Sequence, residues 1–171
     1  YNNTGKESVY LGSDNDGIGI LRTKDKTGNM TCEIGNSTTD SEGYIAMYSG
    51  STGDVTGDFS GGMLTAYLPG GNPAAVVGKS AYGNYGSAVF FNSDSVSVID
   101  LGSNKDGNGY SWINSKNGNR TVFAGASSYG HGSIETYNSG QKQTSFIGTN
   151  SDGNGLVETF NKSGIEVANL G

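Results

Sequence analysis

Glycine returns along this chain at intervals that few folds can accommodate. The segment Gly148–Gly171 reads GTNSDGNGLVETFNKSGIEVANLG, with glycines spaced seven, nine and seven residues apart. The rest of the chain is a series of imperfect copies of that 23-residue unit, with a turn expected at each glycine. Closing glycines stand at Gly12, Gly35, Gly57, Gly78, Gly102, Gly125, Gly148 and Gly171, giving spacings of 23, 22, 21, 24, 23, 23 and 23. The nine-residue interval recurs at Gly19–Gly28, Gly62–Gly71, Gly109–Gly118 and Gly155–Gly164. In five of seven units the closing glycine follows Ile34, Val77, Leu101, Ile147 or Leu170, as Gly12 follows Leu11; Thr56 and Ala124 are the departures. A period of roughly 20–50 residues marks a repeat architecture whose units stack. Residues 1–171 therefore read as one repetitive domain with repeat ends near 12, 35, 57, 78, 102, 125, 148 and 171.

Each unit divides into two short strands and two turns. After the middle glycine come runs rich in β-branched and apolar residues, such as MLTAY at 63–67, SAVFF at 87–91 and LVETF at 156–160. Their fifth position is aromatic in five of seven units (Tyr48, Tyr67, Phe91, Tyr137 and Phe160), with Lys24 and Asn114 the exceptions. In a rung-on-rung stack these aromatics would lie one strand spacing apart, about 4.8 Å, as core packing or as a track for carbohydrate. A turn follows, as in Asp25-Lys-Thr-Gly28 and Asn161-Lys-Ser-Gly164. Asn or Asp first and Gly last is the chemistry of a tight turn: the side chain bonds the local backbone and glycine accepts positive φ. A second strand then runs to the closing glycine. No segment holds a 3.6-residue period, so essentially no helix is expected. Around 49–62 the spacing slips by one or two residues, as at a bulge or an altered loop.

The apolar supply is thin. Leu, Ile, Val and Phe make up 32 of 171 residues, close to the level at which highly charged chains are disordered. A net charge of -6 is modest, however, and the apolar residues keep phase with the repeat, so a narrow ordered core is expected. Thirty glycines without a collagen triplet and only two prolines exclude triple-helical and proline-rich classes. A pI near 4.6 argues against nucleic acid or an anionic membrane as partner. No run approaches 18 apolar residues, so insertion of a membrane helix is not expected. The chain begins at Tyr1 inside a repeat and ends on a repeat boundary, as a processed product or a piece of a longer array would. Cys32, the single cysteine, reads as a small hydrophobe on the face shared with Met30 and Ile34. Sequons occur at Asn2, Asn29, Asn36, Asn119 and Asn161.

Catalytic patterns are missing. The one histidine, His131, sits in a Gly-His-Gly turn, and there is no nucleophile elbow, zinc spacing or phosphate-binding glycine loop. No enzymatic activity is expected. Glu135 and Glu158 share a repeat position, third after the middle glycine, and alternation places them on a solvated face opposite the apolar residues. The loops SDNDGIG (13–19), SNKDGNG (103–109) and TNSDGNG (149–155) have the look of calcium loops. Calcium asks for six to eight oxygens, which leaves Asp14, Asp16, Asp106 and Asp152 as weak calcium candidates beside the simpler reading of turn chemistry. Exposed aromatics among Tyr44, Tyr82, Tyr85, Tyr110, Trp112 and Tyr129 could hold carbohydrate, with Trp112 the most telling.

Two all-β architectures fit: an intertwined homotrimeric β-helix or hairpin fibre, and a single-chain β-solenoid. The thin core and the missing polar caps favour three chains around a shared axis. The Asn-x-x-Gly turns pull towards antiparallel hairpins in a meander. Gly-rich β repeats with Asn/Asp turns and recurring aromatics resemble the shaft segments of bacteriophage tail fibres and tailspikes and of bacterial surface fibres. That resemblance covers all 171 residues in style and transfers no individual residue. It implies an elongated trimeric stalk on a virion or extracellular surface, supporting attachment. A module binding cell-surface polysaccharide is the alternative; a polysaccharide lyase and an ice-binding protein are lesser ones.

Overall fold

The computed structural model describes residues 1–36, 42–79, 85–127 and 130–171. Every regular element among them is a strand, and the chain divides into two compact units, Tyr1–Gly78 and Lys79–Gly171. The first carries β1 (Val9–Ser13), β2 (Gly19–Lys24), β3 (Met30–Asn36), β4 (Gly43–Tyr48), β5 (Val55–Ser60), β6 (Met63–Tyr67) and β7 (Pro73–Lys79). The second carries β8 (Gly86–Phe91), β9 (Ser97–Ser103), β10 (Gly109–Asn114), β11 (Arg120–Ala126), β12 (Gly132–Tyr137), β13 (Gln143–Thr149), β14 (Gly155–Phe160) and β15 (Glu166–Leu170). Within each unit the strands lie in sequence order, each antiparallel to the next. This is the meander that the turns pointed to. Equivalent positions of successive repeats therefore lie two strands apart, about 9.6 Å, rather than one as in a rung-on-rung stack.

The turns explain the pairing. In the five-residue loop after β2, the Asp25 N–H donates to the Asn29 carbonyl at 2.9 Å, and the Gly28 N–H donates to the Asp25 carbonyl at 3.0 Å. Gly28 takes a φ of 96°, which costs an L side chain and not glycine. The first residue then contributes its side chain. Oδ1 of Asp25 accepts the backbone N–H groups of Thr27 and Asn29 at 2.8 and 3.0 Å. The same double acceptance occurs at Asn2, Asp14, Asn92, Asn104, Asn138, Asn150 and Asn161. Where that residue is Asn, the amide has a donor to spare. Nδ2 of Asn2, Asn92 and Asn138 donates to the carbonyls of Lys26, Lys116 and Lys162, each 24 residues on, tying one turn to the next on the same edge.

The odd repeat length has a structural cause. The loops after β1 and β2 each hold five residues. Two equal loops joined by regular antiparallel strands give an even repeat, so 23 needs one residue more. That residue is the unpaired one of a β-bulge on the second strand of each unit, Thr31, Thr56, Ala74, Val98, Thr121, Thr144 and Val167, opposite the step to the fifth position after the middle glycine in all seven units. The closing glycines, expected at turns, lie instead within or at the ends of strands beside the preceding one. A Cβ on Gly148 would stand 2.6 Å from the Gly132 carbonyl oxygen, and one on Gly78 2.4 Å from that of Gly62.

Packing is where the chain departs most from a globular domain. Among the described residues the buried hydrophobics are Ile20 and Ala46 alone, and no side chain is fully enclosed. One face of the first unit carries an unbroken row in register across seven strands: Leu11, Leu21, Ile34, Ile45, Phe59, Leu64 and Val77. The second unit carries Ala88, Leu101, Ser111, Ala124, Ile134, Ile147, Val157 and Leu170 in the equivalent row. Beside it runs Phe90, Ile99, Ile113 and Val122, continued by Thr136, Ser145, Thr159 and Ala168. These apolar side chains face water: Ile134 and Ile147 are 50% and 52% exposed. Cys32 lies in the adjacent row, opposite Thr23 and Met47, and is a free half-buried thiol.

Candidate functional site

The opposite face holds the polar chemistry, and it is the better covered of the two. Its central row in the first unit runs Tyr10, Arg22, Glu33, Ala46, Asp58, Thr65 and Val76. In the second it runs Val89, Asp100, Trp112, Phe123, Glu135, Phe146, Glu158 and Asn169. Glu135 thus sits half-buried between Phe123 and Phe146, not on the solvated face expected for it. A carboxylate so placed needs donors, because desolvating an unpaired charge is costly. Tyrosine supplies them. The hydroxyls of Tyr44, Tyr67, Tyr110 and Tyr137 donate to Glu33, Asp58, Asp100 and Glu135, at 2.6 Å for Tyr67 and 3.4 Å for Tyr110. Arg22 completes the pairing of Glu33, which is only 7% exposed. Burial and then the bonded carboxylate push the phenols of Tyr44 and Tyr137 up to about 12, and raise those of Tyr67 and Tyr110; burial leads at Tyr48 as well.

The residues picked from the sequence separate into groups. Trp112 and Tyr110 lie together on β10, on the polar face. Trp112 does not present a free ring: the Arg120 guanidinium carbon stands 3.1 Å from its centroid, and Phe123 packs against it with centroids 4.2 Å apart. Tyr85 is half-buried just ahead of β8. Tyr82 and Tyr129 fall outside the described residues. Asp14 is the turn acceptor already described. Asp16, Asp106 and Asp152 each donate a backbone N–H to the first residue of their loop, and Asp106 also meets Lys105 at 3.2 Å. Among the described residues no three His, Cys, Asp or Glu side chains gather around a common point.

Around Trp112 lies a hollow of about 320 Å³ lined by Asp100, Trp112, Asn114, Gly118, Arg120 and Gln141. Three elements and two turns build it. Asp100 comes from β9, Trp112 and Asn114 from β10, Arg120 from the start of β11 and Gln141 from the turn after β12. Gln141 takes the left-handed conformation, with φ 60°, as Ser95 does in the turn after β8, where most turns have glycine. Its side chain caps the Arg120 backbone, accepting the N–H at 3.2 Å and donating to the carbonyl at 3.0 Å. That fixes the strand end from which the guanidinium reaches over Trp112 and to within 5.8 Å of the Tyr137 ring. Asp100 is half-buried with Tyr110 as its donor, and burial raises its carboxyl above the usual range, the tyrosine acting against the shift.

Sequence reasoning found Trp112 and Tyr110 and missed Asp100, Asn114, Arg120 and Gln141. A usable signal existed: Asp100 breaks an alternation of apolar residues (Val96, Val98), and Arg120 is one of only two arginines in the chain. Set against models of known protein families and against curated proteins, the chain matches none.

Proposed function

We propose that this chain is a structural segment of a multi-chain β-fibre on a virion or cell surface, in which three copies turn their apolar rows toward a shared axis and support attachment. The observation that carries the reading is the exposed, in-register apolar face. A folded monomer of this mass exposes about 7,900 Å² by the usual scaling, whereas this chain exposes 10390 Å². The excess is of the size that obligate partners cover. Strands of five to seven residues place at most about four side chains on a face, so the apolar stripe is narrow. A narrow stripe suits three sheets meeting at an axis better than two broad sheets pressed face to face.

The test is the solution mass. Light scattering should give about 53 kDa, three times 17.6 kDa, and the species should resist unheated detergent. Ile134→Asp and Ile147→Asp should lower that mass toward one chain, because each puts a carboxylate into the buried row. A wild-type mass near 17.6 kDa would sink the fibre reading, and twice that value would replace three chains by a paired sandwich.

A further inference from the structure

We infer that the hollow around Trp112 is a binding site for a neutral, hydroxyl-rich saccharide. The inference goes beyond the fibre reading and does not depend on it, since all six lining residues belong to one unit of one chain. Two facts set the ligand chemistry. Asp100 and Arg120 line the same hollow, yet among the described residues they form no ion pair. A carboxylate and a guanidinium held apart across a polar hollow leave an acceptor and a fork of donors facing the space between them. Hydroxyl groups, which both donate and accept, satisfy the two ends together. The side-chain amides of Asn114 and Gln141 widen the same mixed lining.

The surroundings narrow the choice further. Arg120 and Phe123 occupy the Trp112 ring, so a sugar is held here by hydrogen bonds at the ring margin and not by stacking on an open indole face. An acidic sugar would bring its carboxylate beside Asp100, in the field of a chain with net charge -6. A neutral one meets neither penalty. The volume, about 320 Å³, lies at the small end of ligand sites and suits a short saccharide. The hollow also opens on the face opposite the apolar rows, so assembly through those rows leaves it accessible.

Trp112 is the only tryptophan, so fluorescence excited at the red edge, where the ten tyrosines do not absorb, reports on this hollow alone. The purified full chain should be titrated with neutral disaccharides (lactose, maltose, cellobiose and mannobiose) and, in parallel, with sialyllactose and a diuronate. A saturable change with at least one neutral sugar is expected. It should be about tenfold weaker or more in Asp100→Asn and in Arg120→Gln, as when a charged hydrogen-bonding group is lost. Asp100→Asn retains the shape and an acceptor for Tyr110, and circular dichroism on the same samples verifies the strands. No response to any neutral sugar, a response unchanged in both variants, or a response to the acidic sugars alone would each overturn the inference. Mass measured on the same wild-type sample keeps this outcome separate from that of the fibre reading.

Discussion

Tyr44, Glu33 and Arg22 show how single residues let a weakly covered sheet carry charge. The carboxylate is bound from both sides, by a guanidinium and by a phenol, and so tolerates its burial. The phenols at about 12 hold protons in the folded state that the unfolded chain releases near pH 10. Between those values the unfolded state binds fewer protons, so stability falls as pH rises. Thermal melts from pH 9 to 12 should show that decline. Tyr44→Phe should flatten part of it while lowering stability at neutral pH by about 1.5–3 kcal/mol, the worth of a hydrogen bond to a charged group. Ser115 gives a prediction of opposite sign. It opens a turn where most others have Asn or Asp, and its Oγ is buried with no partner among the described residues. Ser115→Asn should gain the two backbone bonds seen at Asn92 and Asn138, raising stability by about 1–2 kcal/mol and the melting temperature by several degrees.

At the scale of the element, hairpin turns and strands were legible because they rest on local chemistry. Asn or Asp first and glycine fourth specify a loop whose closing bonds all lie within five residues. The bulges were not read, although the odd 23-residue period implies them once both loops are known to be equal in length. Residue by residue, the bulged Thr144 looks like one more strand position. The closing glycines were misplaced for a related reason: spacing shows that glycine recurs, not whether a turn or a close neighbour requires it. At Gly148 it is the neighbour. Gly148→Ala would drive a methyl group against the Gly132 carbonyl and should destabilise by about 1–3 kcal/mol, the usual cost of overpacking, read by chemical denaturation. An alanine tolerated without loss would show that β12 and β13 can separate locally. The hollow around Trp112 was half legible, because its tryptophan and tyrosine are conspicuous in sequence. Asp100 and Gln141 are brought to it only by strand pairing and by the geometry of a neighbouring turn.

In both units of the molecule the two faces exchange the roles that a globular protein assigns them. The face with charges and hydroxyls is the more covered, and the face with isoleucine, leucine and valine is the more open. Alternation along the strands announces two faces but does not say which is sheltered, since that depends on what lies against each. The thin apolar supply was the better guide: a chain with so few large hydrophobes cannot close a core of its own and leaves them in a stripe. Ile134 and Ile147 lie at the middle of that stripe in the second unit, which is why they are the positions to test against mass.

Pairing strictly between sequence neighbours has a consequence for how such a chain matures. Within each unit the strands zip together through hairpins closed by short loops, and hairpins form in roughly 1–10 μs. No strand waits for a distant partner, so folding can follow synthesis one hairpin at a time. On the proposed fibre reading, the slow event is then the encounter of finished chains. Its rate rises with their concentration, and until it occurs each chain travels with its oily stripe uncovered. On that reading, maturation is governed less by the search each chain makes for its own shape than by the time it spends unaccompanied.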